Sequence, residues 1–475
     1  MQITPLIPFL MAEDEVRRLY ERALRILDQI GLRVRDERLI RRLQGKRGVR
    51  FAQGRVTFDP AVAAEMVGLA QRQKAPVPAR PVIPERMSIV TSYHARSIVD
   101  AETGAHRPLT EADAIAMARL TDALRDRDVL GAAPGAPQDL PARLRSVAQY
   151  RISLEWSRTG HYAPVSAVAE YRYVREMARA VGEDFGMECY LISPLRLEGN
   201  EVACVLDYLE SCAPGDKPVP VCATSMPTMG LSGPADPLAI FVLGLAESVG
   251  GFLALRLAFG DDIKAALCRP NAYPCNFQTG GLIVGSPEAV LIEIIRRDLD
   301  RFFRLDSFAR ALRTMSCLPG IQTAAEKAAG ALAAALAGYE HWFGGGMIGL
   351  DEIFSPIQLL IDCEIRDYAL QVARGFEADD KFDDVAVLRD VLLNADGPLP
   401  FMTHPTTLDT FRNVFRPPTL FRRQPYKGEP HPREDLIERA REDIKRRIAS
   451  HTYRLEADKL AEIDGIYRRA QADLA

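Results

Sequence analysis

The sequence has no surplus of positive charge: 60 Lys and Arg stand against 64 Asp and Glu, a net charge of −4. That balance argues against a nucleic-acid binder, which would show a basic domain or stripe. Its eight cysteines form no CxxC pair. Scattered thiols in a chain of this size point to reduced core residues in a cytoplasmic protein, not to a disulfide framework. The opening stretch MQITPLIPFLMAEDEVRRLY lacks the basic start of a signal peptide, with charge entering by Glu13. No apolar run approaches the ~20 residues of a spanning helix, so no membrane association is expected. GxSxG, HExxH, P-loop and kinase signatures are missing too, and with them the mechanisms they would bring.

What is present is length, and a change of texture along it. With 475 residues and 47% hydrophobic content, the chain can bury a large core, as two domains or as one barrel with extensions. Residues 1–125 mix helical periodicity with short strand pairs and read as an N-terminal α+β extension. From Asp128, short apolar runs alternate with helix-like segments: VLGAAPG, HYAPVSAVA, MECYLISPL, VPVCATSMPT, GGFLALRLAFG, NAYPCNFQTGG, SFARALRTMS and YEHWFGGGM. Strict alternation implies a parallel sheet. Eight units over 126–377 predict an α/β fold of the (β/α)8 TIM-barrel type. In a doubly wound sheet the first turn would carry a Gly-rich fingerprint, which AAPGAPQDLP lacks. Residues 378–475, with a Pro-rich connection and charged helices, form a C-terminal helical extension that is solvated or faces another copy.

Barrel active sites lie at the C-terminal ends of the strands. There the chain offers Asn276 and Gln278 after the sixth candidate strand, and His341, Trp342, Glu352 and Phe354 around the glycines Gly344 to Gly346. Tyr93, from a strand expected outside the barrel, could lean over the mouth. Aromatic faces with nearby acids suit a quaternary ammonium, which attracts ring electrons but cannot donate a hydrogen bond. Cys189, Cys222, Cys275 and Cys317 also fall near strand ends. They leave open a zinc-thiolate methyltransferase or lyase.

The order VDAETGAHRPLTEAD, YLISPL, PVPVCATSMPTMGLSGPADPLA, TGGLIVGSPEAVL, LPGIQTAAEKAAGALAA, GGGMIGLDEIFSPIQLLIDCEI and FMTHPTTLDTFRNVF resembles the trimethylamine methyltransferase (MttB-like) family over essentially the whole chain. The resemblance implies a (β/α)8 barrel that moves a methyl group from a methylated amine to the cobalt of a corrinoid (cobalamin) carried by a cognate partner protein, with no tightly bound cofactor of its own. Some members carry pyrrolysine in the barrel mouth. This chain has only standard residues and so resembles the branch lacking pyrrolysine, whose substrates are quaternary amines such as glycine betaine. Two turns depart from the family's usual pattern: MSCLPGIQ, with Gly320 where an acid is common, and CNFQTG. A homo-oligomer is expected. The other alternative is a betaine-binding protein without catalysis.

Overall fold

The computed structural model describes all residues except 1, 76, 79, 307, 380, 395–399, 424–435 and 475. The N-terminal part begins with the amphipathic helix Glu13–Gln29, whose Val16, Leu19, Ala23 and Leu27 recur at helical spacing and are buried. A small sheet of Leu32–Val34, Val49–Ala52 and Arg55–Phe58 follows, and Arg196–Leu197 joins it in parallel. The helix Pro60–Arg72 follows that sheet, started by the side chain of Asp59 as its cap.

Seven strands make up two all-parallel sheets. We label them β1 (Ser88–Thr91), β2 (Val129–Leu130), β3 (Met187–Leu191), β4 (Val219–Ser225), β5 (Ile263–Ala266), β6 (Phe308–Ala309) and β7 (His341–Gly345). One sheet has the order β6-β7-β1-β2 and a second β5-β4-β3. No ladder joins β2 to β3 or β5 to β6 among the described residues. The segment around Tyr162 nevertheless lies beside the end of β2, because Gly160 sits against the backbone of Gly131, where a Cβ would come within 2.5 Å.

Several expectations need correction here: HYAPVSAVA forms no strand before the helix that begins at Val168, and NAYPCNFQTGG gives only Cys275–Asn276, antiparallel to Gly281–Leu282 in a hairpin. The strand holding residues 88–91, expected in an extension, is paired on both sides inside the parallel sheet. GGFLALRLAFG is not a strand but the second half of one 23-residue helix, Pro237–Phe259. Against the expectation that no apolar run approaches spanning length, the stretch Pro237–Asp262 is long and apolar enough to cross a membrane; its most apolar window has a mean hydropathy of 2.1 and is 89% buried inside the fold. Its interior glycines do not break it, since they admit neighbours: a Cβ on Gly250 would meet Leu27 and one on Gly251 would meet Ala223.

Two apolar clusters flank the strands. One gathers the helices Glu13–Gln29 and Pro237–Phe259 with the last helix, Ala457–Leu474; the other gathers Ile321–Leu336, Pro356–Arg374 and Leu436–Ser450. The last two helices, Leu436–Ser450 and Ala457–Leu474, therefore spend their apolar stripes on their own chain. The helix expected from Arg433 is seen over Leu436–Ser450, with 433–435 outside the described residues.

Candidate active site

Alternation along the strands decides which side chains face inward. In β3, Met187, Cys189 and Leu191 are buried while Glu188 and Tyr190 are half-buried. In β4, Val221 and Ala223 are buried while Cys222 and Thr224 are half-buried. The buried set packs on the helices, as the contact of Gly251 with Ala223 and Leu191 fixes, so Glu188, Tyr190, Cys222 and Thr224 face away from those helices, the side called inward below. Ala309 and Trp342 lie in the outer apolar cluster, which sends Phe308, Arg310, His341 and Phe343 inward by the same period.

These inward side chains form a circuit. The Tyr190 hydroxyl donates to Glu188 Oε2 at 2.9 Å, and the Tyr162 hydroxyl bonds the same carboxylate. The Tyr162 and Tyr93 rings lie 4.6 Å apart, Tyr93 and Phe343 5.7 Å, and Phe343 and Phe308 5.7 Å. From Phe308 the chain continues to Arg310, whose Nη1 donates to Asn271 Oδ1 at 2.9 Å. Asn271 Nδ2 donates to Thr224 Oγ1 at 3.1 Å, and Thr224 stands opposite Tyr190 in the ladder. A cavity of about 280 Å³ lies at the edge of β3, with His94, Tyr162, Glu188 and Tyr190 on one side and Tyr171, Phe185, Met187 and Cys204 on the other. That is the low end for a ligand site and suits a small molecule.

Burial first, then the charge of Glu188, raises the hydroxyls of Tyr93, Tyr162 and Tyr190 above their ordinary range. All three stay protonated near neutral pH, and the two that touch Glu188 remain donors to it. A carboxylate fixed in this way beside three aromatic rings presents a negative, partly dry surface. Its natural complement is a cation without hydrogens to donate.

The residues singled out from sequence fall in four places. Tyr93 is a member of the circuit, its backbone carbonyl held by Gln149 Nε2 at 2.9 Å. His341 lies on the inward face two residues below Phe343, with Nδ1 and Ser88 Oγ 2.6 Å apart. Trp342 and Phe354 are fully buried in the outer cluster, and the Trp342 indole donates to the Tyr339 carbonyl. Glu352 is exposed and faces Arg96 at 3.5 Å. Asn276 and Gln278 belong to a surface hairpin in which the Asn276 side chain accepts the Gln278 N–H.

Sequence reasoning passed over Glu188, Tyr162, Tyr190, Asn271 and Arg310. Polar residues alternating inside an otherwise apolar strand, as in MECYL, were the available signal. The four cysteines named above are not brought together: Cys189 is buried outward, Cys222 faces inward, Cys275 lies in the hairpin and Cys317 is exposed. Burial and a hydrogen bond to the neighbouring Cys268 thiol, the larger cause, hold the Cys222 thiol far above its usual range. No group of three His, Cys, Asp or Glu residues able to hold a metal ion occurs among the described residues.

A family model described as trimethylamine methyltransferase (MTTB) matches residues 3–472. The chain belongs to that family. Among its relatives, a glycine betaine methyltransferase from Desulfitobacterium hafniense is 22% identical over 431 residues, 88% of this chain and 87% of the relative. The trimethylamine methyltransferase MttB of Desulfitobacterium hafniense is 23% identical over 319 residues, 65% of this chain and 62% of the relative. That of Methanosarcina thermophila is 28% identical over 240 residues, 49% and 48%. The match thus spans between about half and just under two thirds of the length of these two trimethylamine methyltransferases.

Proposed function

We propose that the chain is a methyltransferase that takes a methyl group from a quaternary amine, glycine betaine or a close relative, and gives it to the cobalt of a corrinoid carried by a partner protein. The observation that carries this reading is the Glu188 carboxylate flanked by Tyr93, Tyr162 and Tyr190, in a member of this family. In the transfer the N–CH3 bond breaks, nitrogen keeps the electron pair and leaves as a neutral tertiary amine, and the carbon bonds to the acceptor. A leaving group that needs no proton requires no general acid. The chain's task is to desolvate the ammonium and hold one methyl in line.

Two architectural expectations go with this. The circuit of inward side chains supports reading the two sheets and the Tyr162 segment as one (β/α)8 barrel running from Ser88 to Arg374, with the preceding and following segments as extensions. Exposed apolar side chains on the loops after β3 to β6, among them Ile192, Met226, Phe277 and Leu318, offer a docking rim to a corrinoid-bearing partner. We place the protein in the cytoplasm, in keeping with its eight free thiols. We also read it as a homo-oligomer, for which the exposed Val385, Leu392, Leu393 and Phe415 offer a self-association surface.

The test is to incubate the protein with cob(I)alamin, alone and on its cognate carrier, and a panel of betaines and methylamines while following the cobalt spectrum. Methylation from a quaternary amine, abolished in Glu188→Gln, is expected. Binding of the amine without transfer on any carrier would leave only the non-catalytic reading.

A further inference from the structure

Arg310 is the inward guanidinium with no acid of its own. Its buried neighbours each have one: Arg296 pairs with Glu293, Arg313 with Asp351 at 3.0 Å, and Arg269 with Asp300 at 3.7 Å. Arg310 has no ion pair among the described residues; its side chain touches Asn271 Oδ1 and lies 5.1 Å from the centre of the Tyr273 ring. Burial, the leading cause, holds its pKa below the ordinary arginine value. A guanidinium keeps its proton regardless. The acid that acts on its charge, Glu293, is already paired with Arg296.

The group is also held in place. Asn271 is 2% exposed, and its Nδ2 is committed to Thr224 Oγ1 and to the Ser225 carbonyl at 2.9 Å. This leaves Oδ1 turned to the guanidinium. The Arg310 backbone N–H is fixed by Glu293 Oε2 at 3.0 Å. One edge of the fork is thus anchored, and the remaining side-chain N–H groups meet no acceptor among the described residues. A planar fork of that kind matches a carboxylate in two parallel hydrogen bonds. Thr224, the partner of Asn271, stands opposite Tyr190, whose hydroxyl donates to Glu188, so a line of side-chain contacts runs from Arg310 to Glu188.

We propose that Arg310, oriented by Asn271, is the carboxylate-binding end of the site, so that the preferred ligand is a zwitterion with its ammonium at Glu188 and its carboxylate at Arg310. The cation half rests on the proposed reading of Glu188 and its tyrosines. The anion half stands on Arg310 alone. Substrates lacking a carboxylate, such as choline or simple methylamines, then lose their anchor at this end.

Three probes separate the halves by calorimetric titration: glycine betaine, tetramethylammonium, and 3,3-dimethylbutyrate, in which carbon replaces the betaine nitrogen. Arg310→Met should weaken betaine and dimethylbutyrate by about ten-fold or more while leaving tetramethylammonium within about two-fold, as expected for a lost charged hydrogen-bond pair. Arg310→Lys should recover part of the loss, and a matching thermal melt shows that the variants fold. If betaine and dimethylbutyrate bind Arg310→Met as they bind the parent protein, or if the parent binds no carboxylate, the assignment is overturned. If dimethylbutyrate binds in an Arg310-dependent way and tetramethylammonium does not bind at all, the anion end stands and the cation reading of Glu188 falls.

Discussion

Asp298 is 1% exposed and accepts the backbone N–H groups of Leu10 and Met11 at 2.9 and 2.7 Å. Those bonds favour the carboxylate, but burial outweighs them and holds its pKa at about 6. A carboxyl whose folded pKa lies above its unfolded value of about 3.9 adds stability that is whole below pH 4 and lost as pH rises through 6. Asp298→Asn keeps an oxygen acceptor and removes the titration. It should raise stability at pH 7 by up to about 3 kcal/mol and leave it nearly unchanged at pH 3.5. Urea midpoints at the two pH values check this, and equal midpoints at pH 7 would contradict it. Site residues were legible at this scale only where type and position agreed. Tyr93 met both conditions, whereas Trp342 has the right chemistry on the wrong face of β7. Glu188 sat unremarked in a strand because the sign of its alternation is set by helices distant in sequence.

Among the elements, the end of β7 is the tightest. Gly344 has φ +114°, and a Cβ there would stand 2.3 Å from the Leu312 carbonyl oxygen; Gly346 has φ +72° and faces the Phe354 ring. These glycines make room for the protein's own backbone and side chains. Below them Lys327 and Asp362, both fully buried, pair at 2.7 Å, with Lys327 Nζ donating to the Gly344 carbonyl and the Gly346 N–H donating to Asp362. Gly344→Ala should therefore destabilise by roughly 2–3 kcal/mol, read as a lower apparent Tm; a melt within a degree of the parent would refute the close-packing account. The alternation of strand and helix was legible because apolar runs of the right length recur. Its first member was not: Ser88–Thr91 is separated from β2 by a further β-hairpin, and nothing local to MSIVTSY says that its partners are β7 and β2. The helix Pro237–Phe259 was divided at Gly250 and Gly251, which read as punctuation but serve helix packing.

For the whole molecule, first and last segments depend on each other. The final helix buries Ile463, Ile466, Tyr467, Ala470 and Leu474 in the cluster that also holds Val16, Leu19 and Leu27. At about 1.5–3 kcal/mol for each large side chain, losing that face is comparable with the ~5–15 kcal/mol by which a folded domain exceeds its unfolded state. A chain ending at Glu456 should fail to unfold cooperatively, seen as a broad or absent calorimetric transition; a sharp transition near the parent Tm would show that the helix is dispensable. The same dependence bears on synthesis. A nascent chain presents Pro237–Phe259 at the ribosome exit before β5 to β7 and the last helix exist to cover it. For that interval a core helix is indistinguishable by length and apolarity from a membrane signal. Glu247 and Arg256 are then the charges within it that weigh against insertion until those later elements cover it.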